Sequence, residues 1–143
     1  MTRTLRWVAA GVAVYVVAAL FVTPFLFQPD CPGYLAWLRS PLLDGDLDFL
    51  DELTRWSVQS GWRQPTDTGA TTNLFAPGTA ILWSPFWLVA HVLEALGPGT
   101  PDGYAAIYAL YASLATLLYG ALTLLLGHRL ARDVVGPRAA TWA

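Results

Sequence analysis

Lysine is absent from this chain, cysteine occurs once, and charged residues are scarce. All eight basic residues are arginine, a bias to which we attach no functional weight. The single cysteine, Cys31, excludes an intramolecular disulfide, and no cysteine or histidine cluster has the spacing of metal ligands. The net charge of −2 gives no electrostatic reason to expect nucleic acid as a partner.

Apolar residues are what the chain has in abundance. They make up 55% of the 143 residues, the mean hydropathy is +0.46, and only 13% of the residues are charged. Soluble domains carry roughly 25% charged residues. The seven tryptophans and six tyrosines are typical of membrane interfaces. The composition therefore predicts an all-α membrane protein.

Two uncharged runs are long enough to cross a bilayer, which takes ~20 residues of helix. The first is residues 7–28, and a cleaved signal peptide is the rival interpretation. It is disfavoured because the run is long and lacks a small-residue cleavage site. The second is residues 103–128, where small residues recur at the three- and four-residue spacings that let helices approach closely. We therefore predict two transmembrane helices.

The run between them, residues 74–96, contains Pro77, Gly78 and Pro85 and carries Glu94 near its end. Only Phe86–Leu93 is free of helix breakers and charges, apart from His91, and that is too short to span. Charge bias agrees, since arginines at both ends of the chain favour the cytoplasm and require an even number of crossings. These arginines are Arg3 and Arg6 at one end and Arg129, Arg132 and Arg138 at the other. We expect residues 80–96 to form a helix lying in the outer interface of the membrane. Residues 29–102 would then form an external loop, and residues 129–143 a cytoplasmic end.

Six carboxylates lie in the first part of that loop. Asp30 can cap an amphipathic helix over residues 32–43, Gly45 suits the left-handed residue that ends it, and Asp48 can cap a second short helix. A calcium loop beginning at Asp44 is disfavoured because Phe49 and Arg55 stand where glycine and glutamate are needed. Five of the six are expected to be turn, capping and solvated residues: Asp44, Asp46, Asp48, Asp51 and Glu52. We predict no metal and no cofactor.

Asp30 differs by its position at the outer end of the first span, beside Tyr34. A carboxylate at the lipid–water boundary can meet a lipid-borne substrate and an acceptor together. Partial desolvation would increase its basicity, which suits a general base that takes a proton from a hydroxyl. Helix capping alone remains the alternative. Elsewhere, His91 is expected to be a hydrogen-bonded interfacial histidine and Cys31 a packing residue.

Residues 30–52, DCPGYLAWLRSPLLDGDLDFLDE, followed by NLFAPGTAILWSPFWLVAH, resemble the amino-terminal part of bacterial GT-C-type membrane glycosyltransferases. These include relatives of the protein O-mannosyltransferases and the aminoarabinose transferases. The resemblance covers roughly residues 1–140. It implies an incomplete GT-C fold with juxtamembrane helices in its external loop, and an enzyme that transfers a sugar from a polyprenyl-phosphate donor to an acceptor hydroxyl.

The resemblance implies that Asp30 is the catalytic base and that Tyr34 and Arg39 bind substrate, Arg39 by holding the donor phosphate. Arg55 and Arg63 are equally available for that phosphate. Many relatives have a second acidic residue directly after the leading aspartate, where this chain has Cys31. The expected partners are the lipid bilayer, the lipid-linked donor and the remaining transmembrane helices of a longer protein, in a bacterial inner membrane.

Two other functions remain open. A small non-catalytic integral membrane protein would use the external loop to bind a partner. A transporter fragment would carry ionisable residues within its spans, and neither predicted span does. Residues 139–143 read as the start of a further helix, so we expect the chain to be a fragment that is inactive alone.

Overall fold

The computed structural model describes residues 3–22 and 30–136, and within these it is helical with no strand. A single isolated bridge pairs Pro65 with Thr71. The all-α prediction is confirmed at this level. The helices are α1 (Arg3–Val22), α2 (Asp30–Arg39), α3 (Leu50–Arg55), α4 (Gly78–Leu96) and α5 (Ala106–Val135).

The chain divides into two compact units that share α5. One contains α1 and the part of α5 from Thr116 onward, and the other runs from α2 to Ala115. Residues 23–28 of the predicted first span and the predicted helix start at 139–143 lie outside the described residues. The predicted second span, 103–128, corresponds to α5, which begins at Ala106 and continues past Arg129 to Val135.

Within the second unit, α2 packs against both α3 and α4. The main core joins α2, α4 and the beginning of α5 through eight buried side chains: Leu35, Leu38, Ala80, Trp87, Ala90, Tyr108, Ala109 and Ala112. A smaller core places Ala36 of α2 against Phe49, Leu53 and Val58. Alanines at the contact positions let the helix backbones approach closely. His91 is half-buried and its Nδ1 lies 3.0 Å from the Tyr108 hydroxyl, as expected for a hydrogen-bonded histidine.

Within residues 3–22 and 30–136, two helices, α4 and α5, are long and apolar enough to cross a membrane. At 1.5 Å per residue, the 19 residues of α4 extend about 28 Å, close to the ~30 Å hydrocarbon layer. The argument that Pro85 leaves too short a segment to span is therefore wrong, because α4 runs through Pro85 without a break. The predicted helix over 80–96 is present, and its placement in the interface stays a prediction.

Ser84 explains why α4 continues through Pro85. Proline has no N–H, so the carbonyl of Ile81, four residues earlier, loses its helical partner. The Ser84 hydroxyl donates a hydrogen bond to that carbonyl at 2.8 Å. Pro77 and Gly78 do not interrupt the helix either, since Pro77 is its N-cap residue and Gly78 its first residue.

The end of α2 also follows from a proline. Pro41 cannot donate to the carbonyl of Trp37, and the chain widens into one π-helical turn over Ser40–Asp44. Gly45 ends this turn in the left-handed conformation, with φ of 76°, and its N–H bonds the Ser40 carbonyl. The predicted role of Gly45 is confirmed, and the turn brings the residues after α2 back toward Arg39.

Candidate functional site

Asp30 is the first residue of α2 and is exposed. Tyr34 lies one helical turn further along, so both residues are on the same face of α2. The Tyr34 ring is half-buried, with its centroid 5.3 Å from that of Phe75 and 5.7 Å from that of Trp83, both in edge-to-face geometry. The N-terminal end of α2 is thus an exposed carboxylate beside an aromatic cluster.

The segment before α4 is fastened onto α2 by side-chain hydrogen bonds. The Asn73 amide donates to the carbonyl of Gly33 at 2.7 Å, and its oxygen accepts from the Phe75 N–H at 3.1 Å. The Trp37 indole donates to the Phe75 carbonyl at 2.6 Å. The Phe75 ring lies where a side chain at position 33 would be, so glycine is required there. These contacts fix the two sequence segments of the predicted site against each other.

Arg39, at the opposite end of α2, is the centre of a second cluster. Its Nη1 bonds the carboxylates of Asp44, Asp51 and Glu52, at 3.2 Å for Asp51 and 2.9 Å for Glu52. Its Nε donates to the carbonyl of Asp102 at 2.8 Å. Its guanidinium carbon lies 4.2 Å from the centre of the Tyr104 ring, a cation–π distance. We call Arg39, Asp44, Asp51 and Glu52 the Arg39 cluster.

The predicted substrate-binding residues therefore lie apart. Tyr34 is beside Asp30, but Arg39 follows Asp30 by nine residues, about 13 Å along the helix axis. Of the other arginines considered for a phosphate, Arg63 donates to the carbonyl of Val58 at 2.7 Å and 3.0 Å. Arg55 is exposed, with its guanidinium 5.6 Å from the Tyr104 ring.

Glu52 is the residue that sequence reasoning missed. Its prediction as a solvated residue is wrong, because its side chain is 0% exposed. Burial and a hydrogen bond with the Asp51 side chain raise the pKa of Glu52 to about 8. A signal was present in the sequence: Glu52 lies three residues after Phe49 and one before Leu53, on the buried face of α3.

The pKa values of Arg39 and Asp51 shift in the direction expected for ionised partners. Burial would lower the pKa of Arg39, but hydrogen bonds to Glu52 and Asp44 outweigh it, and the pKa is raised. Burial would likewise raise the pKa of Asp51, but hydrogen bonds involving Glu52 and the charge of Arg39 lower it. Asp51 and Arg39 are therefore a charged pair, and Glu52 is the group disposed to hold a proton.

Asp46 and Asp48 behave largely as predicted for turn residues. Asp46 accepts from the Ser40 hydroxyl at 2.9 Å. Asp48 accepts from the N–H of Leu50, the first residue of α3, at 3.2 Å and from the N–H of Thr71 at 2.8 Å. The contact with Thr71 could not be predicted from local sequence, because Thr71 lies 23 residues after Asp48. Asp51 is 58% exposed, as expected for a solvated residue, and it also accepts from Arg39 Nη1 at 3.2 Å.

Carboxylate oxygens of Asp44, Asp51 and Glu52 lie within 4.8 Å of one another, a spacing that metal ligands have. Arg39 Nη1, however, bonds all three, so a metal ion would have to compete with a fixed positive charge. An open groove of about 520 Å³ lies alongside. It is lined by Asp44, Asp46, Asp48, Leu50, Asp51 and Thr54.

Cys31, predicted as a packing residue, contacts the main core of the second unit. Burial raises the pKa of its thiol to about 11, so the reactive thiolate is scarce at neutral pH. A nucleophilic role for this cysteine is therefore disfavoured.

No family model, curated protein or solved structure matches the chain.

Proposed function

We propose that this chain is the amino-terminal part of a membrane glycosyltransferase that moves a sugar from a polyprenyl-phosphate donor to an acceptor hydroxyl. One observation carries the proposal. The two segments that resemble such enzymes, beginning at Asp30 and at Asn73, are about forty residues apart in the sequence yet contact each other directly. Asn73 bonds Gly33, and the Phe75 and Trp83 rings contact Tyr34.

In this proposal Asp30 is the general base. Its carboxylate takes the proton of the acceptor hydroxyl as the hydroxyl oxygen attacks the anomeric carbon of the sugar. The bond from that carbon to the phosphate oxygen breaks, and the polyprenyl phosphate leaves with the electron pair, so the configuration inverts. Asp30 is exposed, which lets an acceptor reach it. Tyr34, on the same face, would contact the sugar or the lipid phosphate.

The donor phosphate needs a positive group. Arg39 is the candidate that the resemblance implies, although it lies at the opposite end of α2 from Asp30, about 13 Å along the helix axis. A phosphate that binds Arg39 also has to displace a carboxylate. A phosphate can displace Asp44 or Asp51 from Arg39, because their side chains are 31% and 58% exposed whereas Glu52 is buried. Arg55 presents its guanidinium at the surface without such competition.

We also propose a membrane setting for this chemistry: a bacterial inner membrane, with residues 29–102 on the outer side. Exposed apolar side chains on α4 and α5, among them Ile81, Val92, Leu118 and Leu126, give surface for lipid or for further transmembrane helices. Further helices would complete the lipid-phosphate site.

The test is sugar transfer by membranes containing the whole gene product that carries this chain. Labelled polyprenyl-phosphate sugars are supplied to membranes with the unmodified protein, Asp30→Asn or Asp67→Asn. Asp67 is an exposed loop carboxylate and serves as the matched control. We expect Asp30→Asn to lower the transfer rate about 100-fold or more, and Asp67→Asn to leave it unchanged. No transfer by the unmodified protein with any donor, together with capture of a partner by residues 29–102, would favour the non-catalytic alternative.

A further inference from the structure

Three carboxylates share one guanidinium in the Arg39 cluster. If all were ionised, two negative charges would remain without a positive partner inside a closely packed region. Desolvated charge is costly, and proteins relieve it by keeping one carboxyl protonated. The protonated group should be the most buried, which is Glu52, since Asp44 and Asp51 both reach solvent.

The hydrogen bonds of Glu52 also indicate that it is the protonated carboxyl group. Its Oε1 accepts from Arg39 at 2.9 Å, while its Oε2 is buried with no hydrogen-bond partner among the described residues. As a carboxylate oxygen it would be an unsatisfied buried acceptor. As a hydroxyl it becomes a donor, and the carboxylates of Asp51 and Glu52 have oxygens within 4.8 Å of each other.

We propose that Glu52 and Asp51 form a carboxylic acid–carboxylate pair that holds one proton at neutral pH and so closes α3 and residues 102–104 around Arg39. Glu52 carries the proton on Oε2, and this O–H donates a hydrogen bond to a carboxylate oxygen of Asp51. Arg39 bridges this pair to the carbonyl of Asp102 and the ring of Tyr104. The pair shares Arg39 and Asp51 with the proposed phosphate site, but its tests measure no sugar transfer, so failure of one proposal is distinguishable from failure of the other.

Charged and titratable groups on each element packed around Glu52 affect its ionisation. Arg39 of α2 favours ionisation of Glu52, whereas Asp44 of the π-helical turn and Asp51 of α3 oppose it. Tyr104, before α5, stacks on Arg39 and also contacts the Trp56 ring, with centroids 5.2 Å apart. Loss of the proton would leave the buried Oε2 of Glu52 as a charged acceptor with no hydrogen-bond donor among the described residues, and entering water would have to supply one. The packing of Arg39 against residues 102–104 would open to admit that water.

The sign of the pH dependence follows from linkage. Glu52 has a pKa of about 8 in the closed structure and about 4.5 when free. Between these values the closed form binds a proton that the open form lacks, so closure weakens as pH rises. The equilibrium for opening should increase by up to about tenfold per pH unit in this window and level off above pH 8. The lowered pKa of Asp51 acts only below the ordinary carboxyl range and does not overlap it.

Hydrogen exchange at the Gly103 and Tyr104 amides tests this in the full chain, with protection corrected for the intrinsic pH dependence of exchange. We expect protection to fall as pH rises and to level off near pH 8. Glu52→Gln keeps a neutral donor in place and should give protection that does not change with pH. Asp67→Asn should behave like the unmodified chain. Flat protection in the unmodified chain, or a slope that survives in Glu52→Gln, would overturn the proposal.

Infrared spectroscopy of the unmodified chain keeps the test valid even if Glu52→Gln does not fold. A protonated-carboxyl C=O band should persist at neutral pH and disappear as pH passes about 8. Absence of that band at neutral pH would overturn the proposal. So would loss of the band on adding millimolar magnesium or manganese, because the cluster would then be a metal site rather than a proton site.

Discussion

At the scale of single residues, burial separates side chains that look alike in the sequence. Asp51 and Glu52 are adjacent acidic residues, yet Asp51 is exposed and Glu52 is buried against Arg39. Asp48 could be assigned to the start of a short helix from local pattern alone. The burial of Glu52 is indicated by its spacing from Phe49 and Leu53, but its pairing with Arg39 could not be predicted, because Arg39 is thirteen residues away and reaches it only after the turn at Ser40–Asp44.

Gly33 is a second residue whose role depends on a distant partner. A methyl group there would overlap the ring of Phe75. Overpacking typically costs about 1–3 kcal/mol, which exceeds the roughly 1 kcal/mol that alanine gains over glycine within a helix. We expect Gly33→Ala to lower the free energy of unfolding, measured by chemical or thermal unfolding in detergent.

Gly78→Ala is the matched control, because Gly78 is also helical and has open space where its methyl group would lie. It should leave stability unchanged or slightly increased. Equal destabilisation by both substitutions would show that the contact of Phe75 with Gly33 does not explain the effect.

At the scale of helices, sequence patterns placed the elements better than they described their ends. The left-handed Gly45 and a helix over residues 80–96 were predictable from local rules, whereas α2 covers Asp30–Arg39 where the pattern predicted a helix over residues 32–43 capped by Asp30. The continuity of α4 was not predictable, because a proline inside a run ordinarily predicts a break in the helix. What decides the outcome is whether a nearby side chain can replace the missing hydrogen bond.

Ser84 does this in α4, and its contribution can be measured. Ser84→Ala should leave the Ile81 carbonyl unpaired and cost about 1 kcal/mol of stability. With Pro85→Ala also present, the new N–H at position 85 can bond that carbonyl, and Ser84→Ala should then cost much less. A double-mutant cycle on the unfolding free energies gives the coupling. Equal costs in both backgrounds would show that Ser84 does not compensate for the proline.

At the scale of the whole molecule, the membrane topology depends on whether α4 crosses the membrane or lies in its outer interface. Its length and apolar composition permit a crossing, whereas the arginines at both ends of the chain favour an even number of crossings. We retain the prediction that α4 lies in the outer interface, with residues on both sides of it facing the same side of the membrane.

Cysteine labelling of intact cells distinguishes the two arrangements. In a Cys31→Ala background, Asp67→Cys lies before α4 and Thr100→Cys after it, and both positions are exposed. An impermeant thiol reagent should label both from outside. Labelling of Asp67→Cys alone, with Thr100→Cys reacting only after the membrane is opened, would mean that α4 crosses.

The central claim is that Asp30 acts as a base in sugar transfer rather than only as the first residue of α2. Steady-state kinetics of Asp30→Asn in the whole gene product separate these roles. Asparagine retains helix-capping ability, so α2 should persist and the KM for the lipid-linked donor should stay near its original value. The kcat should fall about 100-fold or more because the proton acceptor is lost. An unchanged kcat in a normally folded Asp30→Asn protein would contradict the account.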